Sequence, residues 1–384
     1  MTRILMHRTV AERLAQRISR RDFLATGGTI ALAPSLVAAL SACSGEKANT
    51  STGALNRTLN LYTWAEYDDP DVLRSWGDVR ITVFSSNEEA AQKLAATRGT
   101  SGFDIVCPDG IGIPQLAKDG LLQPLDLSRI PNFSHLDPRY TNQGWDPGNQ
   151  YSVCKNWGTT GWLYDTTVIK TPITTWADFT RAAQTVASGA TSVVDSPTSL
   201  AGIYFWANGI DWTTESATDL DACERFLVND LAPHIKAFDS FAGINLTSGN
   251  YVLSQVFNGD ARQGLIAVKD AGGDPGRYAF GVGAPATELF MDNWCIASGA
   301  EHTDAAYDFL NFMLEPEQSA KEIAYHGFHT GLRDIEQRVP ASVDFRDMIF
   351  FAPDVVARMK VGARNRAHDR LVSIANTMKA KAGR

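Results

Sequence analysis

Hydrophobic and polar positions alternate along the chain from residue 58 onward, and the period of alternation switches in a regular order. Leu59-Asn60-Leu61-Tyr62-Thr63 and Val79 to Phe84 repeat every second residue, so each predicts a strand. Between them and the next strand, Ser86 followed by Glu89 has the form of a capped helix start. Ala90, Ala91, Leu94 and Ala95 then share one helical face that ends near Gly99. Phe103-Asp104-Ile105-Val106-Cys107 is a short apolar run closed by Pro108 and reads as a buried strand, and a short helix over 115–118 stops at Gly120. After a Pro-, Asn-, Asp- and Gly-rich stretch over 132–150, helices are predicted around 176–187, 200–207, 219–228 and 251–257. Strands are predicted over 192–195, 264–268, 278–282 and 294–297, and from Asp304 the remainder reads as helical. This βαβα order predicts an α/β fold with a mostly parallel sheet and flanking helices. No internal repeat is visible.

The first 43 residues follow a different pattern. Ser19-Arg20-Arg21-Asp22-Phe23-Leu24 precedes an apolar stretch that ends in Leu40-Ser41-Ala42-Cys43. The pair Arg20 and Arg21 resembles a twin-arginine export signal, and Leu-Ser-Ala-Cys resembles a bacterial lipoprotein box. The expectation is a signal peptide over 1–42, a lipid on the Cys43 sulfur and a small-residue, polar tether over 43–57. Such a protein works on the outer face of the cytoplasmic membrane, in the cell-envelope space. Beyond residue 43 no apolar run reaches 18 residues. The 342 residues left after such a cleavage suit two domains better than one core.

Charge and composition narrow the chemistry. Six of the 35 basic and two of the 43 acidic residues precede Cys43, so the remainder carries a net charge of −12 against −8 for the whole chain. No basic stripe suggests nucleic acid. Cys107, Cys154, Cys223 and Cys295 are widely spaced with no Cys-x-x-Cys pair, which argues against a zinc cluster and leaves either disulfides or buried thiols open. An enzyme would need a nucleophile with a positioned base, or a metal set. His326-Gly327-Phe328-His329 is the one close histidine pair, and neither a Gly-x-Ser-x-Gly elbow nor a phosphate-binding loop is present. Gly281-Val282-Gly283-Ala284 is too short for a dinucleotide fingerprint. No cofactor is called for.

Seven short segments, in order, resemble the spermidine/putrescine-binding proteins, the polyamine receptors of bacterial ABC importers. They are Leu61-Tyr62-Thr63-Trp64-Ala65-Glu66-Tyr67, Ser85-Ser86-Asn87-Glu88, Gly102 to Val106 with Pro108, Gly120 to Asp126, Asn156-Trp157-Gly158-Thr159-Thr160-Gly161, Phe290-Met291-Asp292 and Phe309-Leu310-Asn311-Phe312. The resemblance implies a two-lobed, type II periplasmic-binding fold whose lobes clamp a solute in a cleft and pass it to a permease driven by an ATPase. Carried onto this chain, it places one lobe at 58–160 plus 291–335 and the other at 161–290 plus 336–384.

A buried amine cation needs aromatic faces for cation–π attraction and for cover of its methylenes, and carboxylates to pair each charge. The resemblance assigns these roles to Trp64, Tyr67 and Phe290, with Asp292 on one amine and Glu66 and Asp270 as further acids. Asp109, after Pro108, stands where the family usually has a serine. Ser196 and Ser199 occupy positions that carry acids in the spermidine type. Ala267 stands in place of a tryptophan wall, and Lys269 adds a cation beside it. These departures leave a shorter diamine, a larger amine or a zwitterion open, and iron, thiamine, a phosphonate or a sugar remain rival solutes. Each residue also has a plain structural role available, as strand-end core for Trp64 or turn chemistry for Asp270 and Asp292.

Overall fold

The computed structural model describes residues 55–97 and 102–382. Arg20, Arg21, Cys43 and most of the expected tether lie outside the described residues. Ten strands form the sheet framework: β1 (Thr58–Trp64), β2 (Asp78–Phe84), β3 (Ile105–Val106), β4 (Val153–Asp165), β5 (Thr191–Val193), β6 (Ile235–Phe238), β7 (Leu253–Phe257), β8 (Tyr278–Val282), β9 (Thr287–Ile296) and β10 (Met359–Val361). Their order is β2-β1-β3-β9-β4-β7-β5-β6, with β10 beside β9 and β8 beside β4.

The two longest strands, β4 and β9, lie in the middle of this order. The first half of β4 pairs antiparallel with β9, from Val153 opposite Trp294 to Thr159 opposite Leu289. From Thr160 onward β4 leaves β9 and pairs with β7 and β8. All 13 residues of β4 are buried, as expected for a strand covered on both faces. One hydrophobic core gathers Leu59, Leu61, Ile105, Trp157, Met291, Trp294 and Phe309 on the β1–β3–β9 side. A second gathers Trp162, Trp176, Phe179, Val193, Phe205, Trp206, Ile374 and Met378 on the β7–β5–β6 side. Val339 and Ile349 pack into the first core, whereas Leu371 and Met378 near the end of the chain pack into the second.

Local chemistry explains several element boundaries. Ser86 caps the helix Asn87–Ala96 by accepting from the Glu89 N–H, while the Glu89 carboxylate reaches back to the N–H and hydroxyl of Ser85. Thr175 and Asp178 close a reciprocal capping box on the helix Trp176–Gln184. Gly120 ends the short helix Ile113–Lys118 with φ of 66°.

The sheet is mixed rather than mostly parallel: β1–β2, β1–β3, β5–β6, β5–β7 and β9–β10 are parallel, while β4 pairs antiparallel with β7, β8 and β9, and β3 with β9. Two elements exchange identity. Most of 251–257, expected as helix, forms β7 (from Leu253), because Leu253 to Val256 are buried on both faces and so carry no alternation. Residues 264–268, expected as strand, lie inside the helix Asn258–Asp270. There Gly264 lets the helix rest on the Gly243 carbonyl, since a Cβ at 264 would stand 2.4 Å from that oxygen. β4, the helix Pro70–Trp76 and β6 were not expected at all. The region after Asp304 is only partly helical, in Thr303–Met313, Pro316–His326, Pro353–Val356 and His368–Lys381. Cys107, Cys154, Cys223 and Cys295 are all free and buried.

Candidate ligand-binding site

Side chains two apart on a strand share a face. On β9 that places Glu288, Phe290 and Asp292 in one row. The antiparallel register sets Gly158 against Phe290 and Asn156 against Asp292 on β4. Thr160, next on that face, donates its hydroxyl to the Glu288 carboxylate. Gly158 is required: a Cβ there would stand 2.5 Å from the Phe290 ring, 2.6 Å from Asn258 Oδ1 and 2.8 Å from Phe328. Phe290 meets Phe257 and Phe328 edge-on, at centroid separations of 5.2 and 5.4 Å.

On the other side of β9, Asp109 forms an isolated antiparallel bridge with Asp292. Two carboxyl-bearing residues are therefore directly opposite each other across this bridge, an arrangement that is unfavourable unless something offsets it. Asn87, in the first turn of its helix, fixes the Asp109 backbone by accepting its N–H at 3.1 Å.

Asp292 is 6% exposed. The Tyr67 hydroxyl donates to it and also lies 2.7 Å from Asn156 Oδ1. Burial pushes the Asp292 carboxyl up to about 7. The Tyr67 hydrogen bond, the Lys155 ammonium and the nearby Trp64 indole pull it down, and Glu288 pushes it up again. The Trp64 N–H itself is buried without closing a hydrogen bond. Asp109 is raised well above the usual carboxylate range, by burial first and then by Asp292 and Glu288. Glu288 is raised by burial, against the hydroxyls of Thr160 and Ser199.

Behind this row lies a buried ion network. Lys155 Nζ donates to Asp68 Oδ1 at 2.6 Å and to the Tyr67 carbonyl at 3.0 Å. It also lies over the Tyr67 and Trp294 rings, at 4.8 and 4.4 Å. Glu322 stands 3.7 Å from the same ammonium, and a cavity of about 10 Å³, the size of one water, is lined by Lys155, Glu322, His326 and Trp294. Lys155 thus holds Tyr67 in position from the rear.

Of the residues read from the sequence, Trp64, Tyr67, Asp109, Phe290 and Asp292 come together around β1 and β9. Trp64 packs edge-on against Phe84 at 4.4 Å. Ser196 caps the helix Pro197–Ala207 by accepting the Ser199 N–H on its hydroxyl, and the Ser199 Oγ stands 2.8 Å from Glu288. Glu66 and Asp270 do not join this group. Glu66 is exposed in a left-handed turn after β1, with φ of 56°, and Asp270 is exposed at the last position of the helix Asn258–Asp270. Lys269 is also exposed and pairs with Asp344 at 2.5 Å. Ala267 lines a separate open cavity of about 510 Å³ with Thr247, Arg277 and Tyr278.

Two residues that the structure adds to this group, Glu288 and Phe257, were not read from the sequence. The alternation Glu288-x-Phe290-x-Asp292 was the available signal for the first. His326 and His329 are held below the ordinary histidine range by burial, His329 to about 4. The Trp157 N–H donates to His329 Nδ1, so this pair is neutral packing and hydrogen bonding. Among the described residues no group of His, Cys, Asp or Glu has the arrangement of a metal site.

The family model of bacterial extracellular solute-binding proteins matches residues 75–344. The chain belongs to that family. The polyamine-receptor resemblance read from its motifs is borne out by its relatives. The putrescine-binding periplasmic protein of Pseudomonas aeruginosa (strain UCBPP-PA14) is 28% identical over 72% of this chain and 79% of its own length. Spermidine/putrescine-binding periplasmic protein 1 of Haemophilus influenzae is 26% identical over 84% of this chain and 89% of its own. Among solved structures, a putative spermidine/putrescine ABC transporter protein from Listeria monocytogenes superposes with a TM-score of 0.73 at 24% identity, covering 84% of this chain and 98% of that one. The solute-binding protein therefore has the two-lobed α/β fold of that neighbour.

Proposed function

We propose that the chain is the extracytoplasmic receptor of an ABC importer and binds a linear polyamine of the putrescine/spermidine class. The observation that carries this reading is Asp292, a buried carboxyl beside Trp64, Tyr67 and Phe290 with no Lys or Arg in hydrogen-bond contact among the described residues. A buried anion of this kind is costly until a cation arrives. The neighbouring aromatic faces suit an alkyl-ammonium. Names of the relatives support the same solute class.

In this reading β4 and β9 are the hinge strands, because β4 changes partner near Thr160 and the site row sits on β9 beside that change. The lobes, 58–160 with 291–335 and 161–290 with 336–384, close over the amine by hinge motion. The closed form docks on a permease powered by a cytoplasmic ATPase. Arg20 and Arg21 direct export, and diacylglycerol on Cys43 holds the protein on the outer face of the cytoplasmic membrane. No nucleic acid, cofactor or catalytic step enters.

The test is calorimetry and thermal shift on the purified protein against putrescine, cadaverine, spermidine, spermine, an aminophosphonate, thiamine and ferric iron. One polyamine at a hundredfold excess over its Kd should stabilise the fold by about 2.7 kcal/mol. Asp292→Ala should cost roughly 2–5 kcal/mol of that affinity. A response only to the aminophosphonate, thiamine or iron rejects the polyamine reading, and full polyamine affinity in the Asp292→Ala protein removes Asp292 from the site. Cys43→Ala should move the protein from membrane to soluble fractions, and continued membrane retention rejects the anchor.

A further inference from the structure

Asp292 accounts for one positive charge, but the row on β9 ends in a second carboxyl that no motif pointed to. Glu288 is 6% exposed. Thr160 and Ser199 both donate to its Oε2, and among the described residues none donates to Oε1. Ser199 lies in the first turn of the helix Pro197–Ala207, so the carboxylate is clamped from two elements with one oxygen left free. A second buried polar group in the row is also unpartnered. Asn156 is fully buried opposite Asp292, and its Nδ2 has no acceptor.

No Lys or Arg pairs with Asp109 or Glu288 among the described residues. Lys155, the buried cation that acts on Asp292, is committed to Asp68 and the Tyr67 carbonyl. Asp109, Asp292, Glu288 and the Asn156 amide thus lie along and beside this row with no Lys or Arg in hydrogen-bond contact among the described residues. Alternate residues on a strand are about 6.6 Å apart, which sets the Glu288 and Asp292 backbones about 13 Å from each other with Phe290 midway.

We propose that Glu288 is the second cation anchor of the cleft, holding the far charged nitrogen of a linear di- or polyamine whose methylenes cross Phe290. This inference rests on the polyamine reading above. Thr160 and Ser199 are positioning residues that fix which carboxylate oxygen stays free. Glu288 then selects for molecules with two charges and rejects monoamines, because a monoamine leaves one desolvated carboxyl unpaired. The Asp109–Asp292 bridge takes the near nitrogen between two carboxyls.

The experiment is isothermal titration of the purified protein and of Glu288→Gln with putrescine, spermidine and butylamine. The wild-type protein should bind putrescine or spermidine at least tenfold more tightly than butylamine, and Glu288→Gln should reduce that ratio at least tenfold. Glutamine keeps the size of the side chain and an oxygen for Thr160 and Ser199. An unchanged ratio in Glu288→Gln overturns this inference while leaving the polyamine reading intact. Failure of the wild-type protein to bind any of the three overturns both. Should Glu288→Gln not fold by circular dichroism, the wild-type protein alone decides through α,ω-diamines of four to ten carbons and the matching monoamines. Equal affinity for diamine and monoamine at every length overturns the inference, and a diamine preference of tenfold or more at any length supports it.

Discussion

Binding of an amine should release protons, and its affinity should rise with pH. In the free protein burial holds the Asp292 carboxyl at about 7, against an ordinary value of 3.8. Asp109 and Glu288 are raised in the same direction. A cation in contact with these groups favours their ionised forms, so the proton held before binding is lost during it. With a pKa of about 7, roughly a tenth of Asp292 is ionised at pH 6 and roughly nine-tenths at pH 8. That single group therefore strengthens binding about tenfold between the two, or about 1.4 kcal/mol. The amine itself stays protonated across this range, since alkyl-ammonium groups titrate near 10, so the protons come from the protein.

The opposite sign applies to the free protein. Between about pH 4 and 7 the folded chain holds a proton on Asp292 that the unfolded chain has already lost, so this group makes the unliganded fold less stable as pH rises. Calorimetry with putrescine at pH 6, 7 and 8, in two buffers of different ionisation heat, reads both affinity and proton count. A Kd that does not change from pH 6 to 8, with no proton release, would refute the argument that buried, cation-starved carboxyls form this site.

Other consequences can be read from packing and charge. Lys155→Met should destabilise the fold by about 3–5 kcal/mol, because it strands the buried Asp68 carboxylate, and Lys155→Met with Asp68→Asn should recover part of that loss; urea unfolding measures both. Gly158→Ala should cost roughly 1–3 kcal/mol of stability through overpacking against Phe290 and Phe328, and it should also weaken putrescine binding by displacing the Phe290 ring. Cys107, Cys154, Cys223 and Cys295 should resist iodoacetamide in the native protein and all react in guanidinium, as counted by intact mass, since burial raises each thiol.

The alternating half-buried strands and the capped helices were legible because their chemistry is local. β1, β2 and the helix Asn87–Ala96 announce themselves through period and cap. β4 did not, because every one of its 13 residues is covered and Asn156-Trp157-Gly158-Thr159-Thr160-Gly161 shows neither period. Its role depends on partners far away in sequence. The β7 segment failed for the same reason, and Gly264-Leu265-Ile266-Ala267-Val268 misled because a β-branched run can sit in a helix when a glycine is needed at a crossing. Asp292 and Phe290 became candidates through the family resemblance. Glu288 was overlooked because the strand was started at Trp294, past the residue that the alternation would have exposed. Asp270 was picked from a loop-rich segment but ends a helix instead.

The state of the thiols carries a consequence for the order of events in the cell. Cys107 and Cys295 end up at zero exposure beside the β3–β9 pairing, and Cys154 and Cys223 are equally enclosed. The finished fold owes nothing to oxidation and hides every described sulfur from it. An unfolded chain, by contrast, would present all of them to whatever oxidants lie outside the cytoplasm, where wrong pairings would trap it. A sequence built in this way is safest when its tertiary structure is complete before it meets that environment, and a carrier that moves finished proteins, as the Arg20-Arg21 pair proposes, would make the fold itself the protection of its cysteines.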